Sequence, residues 1–287
     1  MESPKFQGYS AATRDCWGRE LRLAERPDTL GALSIHEIRP ALVQRFLDGL
    51  ANRPGKAVAS LAVLKQVEKW ALVRDRLPYP ITTGCEVEGS DGGHEPWSDE
   101  QVMLAEAYAK PHLARIITLA ANTGQRGSDL VKMRWTDVEE YEGRRGVNVV
   151  QQKTGREVWI PLTETLERAM EDWNRQPGFI ALGPTGTPWA RKQLSDAWGS
   201  ERDSNPALAP LSEAGLHLHG LRATVCIRLK RAGATILQIA DMVRMSPAMV
   251  ARYCRLSVQR ENALAAVVHL DRTARERREN KSKKISA

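Results

Sequence analysis

Between Leu77 and Pro96 the chain places three prolines and four glycines: Pro78, Pro80, Gly84, Gly89, Gly92, Gly93 and Pro96. Each proline removes a backbone donor and each glycine loosens the main chain, so no helix or long strand persists through the stretch. The 287 residues are long enough for two ordinary domains, and this stretch is where they divide. The expected layout is a first domain over 1–80, a linker over 81–96, a second domain over 97–270 and a tail over 271–287.

On both sides of the break the apolar residues recur mainly at helical spacing. Residues 10 to about 80 read as helices. Ser34-Ile35-His36-Glu37 has the form of a capping box, a hydroxyl followed three residues later by a carboxylate. Ile38, Leu42, Phe46 and Leu50 continue it at helical spacing. After a break at Arg53-Pro54-Gly55, a second helix is expected from about Lys56 to Arg74, with Val58, Leu61, Leu64, Val67 and Leu72 toward a core. Ser98-Asp99-Glu100-Gln101 opens the second domain with another capping box. From Arg144 to Leu162 the pattern turns to strands: Val147, Val149 and Val150 precede a polar turn holding Gly155, and Val158, Trp159 and Ile160 follow. That is a hairpin pattern. Helices resume from about Thr163 and again from Leu221 to Val268, broken at Gly233 and at Ser246-Pro247. The fold class is therefore mainly α with a small antiparallel β-sheet (α+β).

Composition excludes several classes. No run of 18 apolar residues is present, which argues against a membrane span. The start, MESPKFQGYS, lacks the apolar core of a secretion signal. Cys16, Cys85, Cys226 and Cys254 are scattered, with no CxxC pair and no His-linked metal spacing. Reduced thiols in a cytoplasm, with no metal and no cofactor, are the simplest account. The 42 basic residues outnumber the 35 acidic ones, for a charge of +7, which suits a polyanionic partner because phosphate neutralisation releases counterions. Seven basic and three acidic residues between Asp271 and Ala287 read either as a frayed basic tail or as a solvated helix end.

Three stretches carry groups able to act on a phosphate. In Thr123-Gly124-Gln125-Arg126-Gly127-Ser128-Asp129, an arginine beside a glycine turn at a helix start could aim its guanidinium at an anion. An arginine so placed is more often a surface residue. Lys153, at the hairpin tip, could deliver a proton or bind phosphate, though most lysines at such tips do neither. His219-Gly220-Leu221-Arg222 opens a helical segment, and Tyr253 follows 31 residues after Arg222 between Arg252 and Arg255. Alone, the tyrosine reads as core packing and the histidine as a helix cap.

Taken in order, these residues resemble the tyrosine recombinase (phage integrase) family. Its pattern runs from an arginine in a Thr-Gly-x-Arg turn, through an acidic residue three positions on and a lysine in a β-hairpin, to a His-x-x-Arg pair and a late tyrosine. Arg126, Asp129, Lys153, His219 with Arg222, and Tyr253 stand in those places. The flanks agree: Leu130, Trp135 and Asp137 after the first arginine, Ile160-Pro161-Leu162 after the hairpin, and Gly93-His94-Glu95-Pro96-Trp97 before the second domain. One position departs. Nine residues before the tyrosine the family has histidine or tryptophan, and this chain has Arg244.

The resemblance implies a site-specific DNA recombinase, or integrase, acting without metal or ATP. Its first domain would be a helical DNA-binding domain and its second the catalytic domain, together clamping double-stranded DNA at an attachment site. Tyr253 would attack a phosphate held by Arg126 and Arg222. His219 would accept the tyrosine proton or bond the phosphate, Lys153 would protonate the leaving 5′ oxygen, Asp129 would orient the arginine side, and Arg244 would support the clamp. Four protomers would assemble on two duplexes as a homotetramer, with the segment after Tyr253 docking on a neighbour or packing on its own domain. Arg244 also keeps open a DNA-binding protein of this fold that has lost its chemistry. A type IB topoisomerase and a metal-dependent nuclease fit less of the pattern.

Overall fold

The computed structural model describes residues 3–89, 94–152, 155–173 and 178–255, and then 263–264, 266–268 and 270–272. The chain divides into two compact units, Met1–Gly92 and Gly93–Ala287.

The first unit is helical: α1 (Pro4–Gln7), α2 (Ala11–Ala24), α3 (Pro40–Asp48) and α4 (Pro54–Leu72). Two starts differ from the sequence reading. Ser34 and Glu37 form half of the expected box, the Ser34 amide donating to the Glu37 carboxylate at 2.8 Å, but they close a turn and no helix follows. The helix begins at Pro40, because proline fits the first helical position while its ring holds Arg39 extended. By the same rule α4 begins at Pro54, inside the expected break. Val43, Phe46, Leu47, Leu61 and Leu64 share one core, whereas Val58 of the expected apolar face stands exposed.

In the second unit Ser98 caps α5 (Asp99–Tyr108) in the expected box, with Gln101 completing it. Next come α6 (Pro111–Thr123) and the short α7 (Gly127–Leu130). A three-stranded antiparallel sheet in the order β1-β2-β3 follows: β1 (Val138–Tyr141), β2 (Arg144–Val150) and β3 (Glu157–Pro161). Val149 pairs with Val158 and Val147 with Ile160, and all four point into the core. The edge strand β1 was not expected, since the Val-Glu-Glu-Tyr run that forms it buries nothing fully and so shows no alternation.

After the sheet come α8 (Glu164–Asp172), α9 (Arg191–Ser204), α10 (Ala209–Glu213), α11 (Gly220–Arg231) and α12 (Ile236–Val243). A further helix, α13, runs over 247–255. Trp97, Ile116, Ile117, Met133, Ile160, Leu166 and Trp198 lie in the main core, and each such fully buried aliphatic side chain contributes about 1.5–3 kcal/mol. A second cluster, holding Val225, Cys226, Ile239, Val243, Val250 and Cys254, fastens α11, α12 and α13 to one another, with Tyr253 partly buried against it. Among the described residues no helix is long and apolar enough to cross a membrane.

Candidate active site

Arg222 is the fixed point of the site. It lies in the first turn of α11 at 2% exposure, and its guanidinium donates to three backbone carbonyls. Nη1 reaches Gly124 O at 2.5 Å, and Nη2 reaches Val243 O at 2.6 Å and Arg244 O at 3.3 Å. Those carbonyls belong to helix ends. α6 stops at Gly124 (φ 63°) and α12 at Arg244 (φ 52°), both left-handed. The last carbonyls of a helix lack intrahelical donors and carry its negative pole, so one buried cation serves two helix termini. Burial lowers its pKa to about 10, and the nearby Arg126 charge pushes the same way. Arg222 therefore remains a cation at neutral pH.

Arg126 precedes α7 in extended conformation and is partly buried. Its Nη1 lies 4.0 Å from Asp129 Oδ2. Both atoms are shut off from solvent, and neither has a hydrogen-bond partner among the described residues. Leaving such groups unmade costs about 1–3 kcal/mol each, so Arg126 holds an unspent donor inside the site. The other oxygen of Asp129 accepts from the Gln152 amide at 3.1 Å and from the Ser128 hydroxyl at 3.3 Å. Asp129 thus joins the arginine turn to the base of the β2–β3 hairpin.

Lys153, together with Thr154, falls outside the described residues. The frame around it is described: the Gln151 amide donates to Arg156 O at 2.9 Å and the Gly155 amide to Gln151 O at 2.8 Å.

His219 stands just before α11. Although the residue keeps contact with solvent, packing around its ring lowers the pKa to about 4, helped by His94, Arg222, Arg126 and Arg191. Its imidazole is neutral at pH 7. Tyr253, on α13, lies near enough to Arg222 to act on it electrostatically, as do Arg126 and Asp129. Arg126, Asp129, His219 and Tyr253 thus each lie within electrostatic reach of Arg222. Arg244 turns to the hairpin, its Nη2 donating to Glu157 O at 2.9 Å.

Four more residues stand next to these groups, and the sequence motifs give them no role of their own. Buried Gln125 donates to Met242 O at 3.2 Å and accepts from buried Gln151 at 3.1 Å, linking the end of α12 to the hairpin. His94 stacks edge-on against His219, and Arg191 adds charge beside it. Only a folded chain brings these residues to the motif. Among the described residues no three histidine, cysteine or acidic side chains could hold a metal ion. A cavity of about 950 Å³ lies in the first unit, lined by Phe6, Tyr9, Trp17, Leu21 and Trp70 among others, and none of the site residues touches it.

A mostly helical fold with one small antiparallel sheet is the catalytic fold of tyrosine recombinases. Residues 99–260, more than half of the chain, match the phage integrase family, and the chain belongs to it. Similar solved structures include a lambda integrase dimer bound to a COC′ core site, with TM-score 0.68 and 18% identity over 86% of this chain and 73% of that one. A lambda integrase tetramer bound to a Holliday junction gives 0.68 and 19% over 86% and 72%. The Tn1549 transposon integrase in complex with transposon right end DNA gives 0.70 and 14% over 91% and 95%. No match was found among curated protein sequences.

Proposed function

We propose that this chain is a site-specific DNA recombinase that cleaves and rejoins strands through a 3′-phosphotyrosine at Tyr253, without metal or ATP. The observation that carries the reading is the gathering of two arginines, a neutral histidine and a tyrosine around the two helix ends that hold Arg222.

A phosphodiester resists attack because its charge repels a nucleophile and its alkoxide leaves poorly. Arg126, whose guanidinium is partly exposed, and Arg222, through the nitrogen hydrogens its carbonyls do not take, would grip the non-bridging oxygens and neutralise the charge that develops. The Tyr253 oxygen would attack phosphorus as the bond to the 5′ oxygen breaks. His219 takes the tyrosine proton. Lys153 gives one to the departing 5′ oxygen, and Asp129 holds the hairpin base against the arginine turn. Attack by a partner strand's 5′ hydroxyl then reverses the chemistry and conserves the phosphodiester energy.

On this reading the helical unit before the linker binds double-stranded DNA at an attachment site, and the chain works in the cytoplasm as a homotetramer. The solved tetramer on a Holliday junction supports the assembly. So do Leu264, Val267, Val268 and Leu270, exposed on the helical residues after Tyr253, which would dock on a neighbouring protomer. Arg244, in place of the family's histidine or tryptophan and with one nitrogen donating to the hairpin, supports the other reading, a DNA-binding protein without chemistry.

The deciding experiment is incubation with a nicked suicide duplex bearing the chain's own attachment site, in excess EDTA, followed by a denaturing gel. A protein–DNA adduct that disappears in Tyr253→Phe is the expected result. Tight binding with no adduct overturns the recombinase reading in favour of the silent one.

A further inference from the structure

The segment that leads the chain into its second unit is bonded onto the turn that carries His219 and Arg222. The Trp97 amide donates to Thr224 Oγ1 at 2.7 Å, and that hydroxyl donates back to Trp97 O at 3.1 Å. The Trp97 indole donates to His217 O at 3.0 Å, and its ring lies 5.3 Å from that of Trp198. At Gly220, the residue after His219, an added Cβ would lie 2.0 Å from Glu95 O, so this approach requires glycine. The chain just after His94 is therefore seated on this turn, through Glu95 against Gly220 and through Trp97 on Thr224 and His217.

The His94 ring is placed accordingly. Its centroid lies 5.2 Å from that of His219 at 68° and 4.9 Å from that of His217 at 62°, both edge-on. Such contacts prefer this geometry and narrow the rotamers open to each ring. The groups facing His219 are then His94 on one side and the cations Arg222, Arg126 and Arg191 elsewhere, with His217 facing His94 in turn.

We propose that His94 is a positioning residue for His219, its ring forming the wall that holds the His219 imidazole toward the phosphate site. The proposal rests on the role given to His219 above. His94 touches no reacting atom on this reading. It acts by fixing where a neighbour's nitrogen points, and small displacements of such a group are costly to rate.

The test compares the wild type with His94→Ala, which removes the wall, and His94→Phe, which keeps a flat ring there without a titrating group. Two readouts are taken: the rate of adduct formation on the suicide duplex at saturating protein, and the His219 imidazole titration by NMR in the DNA-free protein. In His94→Ala the adduct rate is expected to fall on the order of tenfold with DNA affinity unchanged, and the His219 midpoint to rise from about 4 toward the ordinary histidine value. In His94→Phe both are expected to return close to wild type. Unchanged rate and titration in His94→Ala overturn the proposal, and so does a His94→Phe variant as impaired as His94→Ala. If the wild type forms no adduct, the recombinase reading fails by itself, and the titration still decides whether His94 positions His219.

Discussion

His219 enters the site uncharged, and this has a consequence that a titration reads directly. Its folded pKa of about 4 lies below the ordinary histidine value of about 6.5. Above 6.5 neither the folded nor the unfolded chain holds the proton. Between 6.5 and 4 the unfolded chain binds it and the folded chain does not, so stability falls as pH falls through this window. His94 and His112, whose pKa values are also lowered by burial, act in the same direction. Urea midpoints measured from pH 7 down to 4.5 should therefore drop, and the drop should be shallower in His219→Asn. A midpoint independent of pH in the wild type would refute the depressed pKa. At this scale the motif was legible: Arg126, Asp129, His219, Arg222 and Tyr253 stand in a recognisable order along the chain, and the fold brings the other four within electrostatic reach of Arg222, while their roles remain those proposed above. Gln125, Gln151 and His94 were not legible, because nothing in their spacing says that a glutamine will be buried against a helix end or a histidine laid on another.

Elements meet around Arg222 by their ends. The stop of α6 at Gly124 serves two purposes, since it frees a carbonyl for Arg222 and leaves room for neighbours. A Cβ there would lie 2.9 Å from Val243 Cγ1 and 3.1 Å from Val225 Cγ1, on a backbone with φ of 63°. The left-handed conformation alone costs a side-chain-bearing residue about 1–2 kcal/mol. Gly124→Ala should therefore destabilise the chain by about 2 kcal/mol or more in urea, and should slow adduct formation further by moving the Gly124 carbonyl. Wild-type stability in this variant would show that the helix end yields easily. The elements themselves were legible where periodicity or capping was strong, as at Ser98 and in the β2–β3 hairpin. They were misread where a local motif competed with proline, as at Ser34 and Pro40. They were missed where a strand sits at an edge with its side chains in water, as in β1.

For the molecule as a whole, the charge of +7 bears on affinity more than on chemistry. If both units lie along a duplex, binding should weaken by roughly a thousandfold between 50 and 200 mM salt, as expected for six or more phosphate contacts. On the proposed mechanism, adduct formation from the bound state should change little over the same range, because Arg222, the cation at its centre, is buried where salt screens poorly. Salt-insensitive binding would contradict this assignment of the charge. The support of Arg222 has a last consequence at the same scale. Its acceptors are main-chain oxygens, which every amino acid carries alike. A scan that truncates side chains one by one would find Arg222 indispensable and no single partner to account for it. Mutation of neighbouring residues leaves that support in place as long as both helices still end where they do, so drifting sequences can preserve the cation's seat after almost everything visible around it has changed.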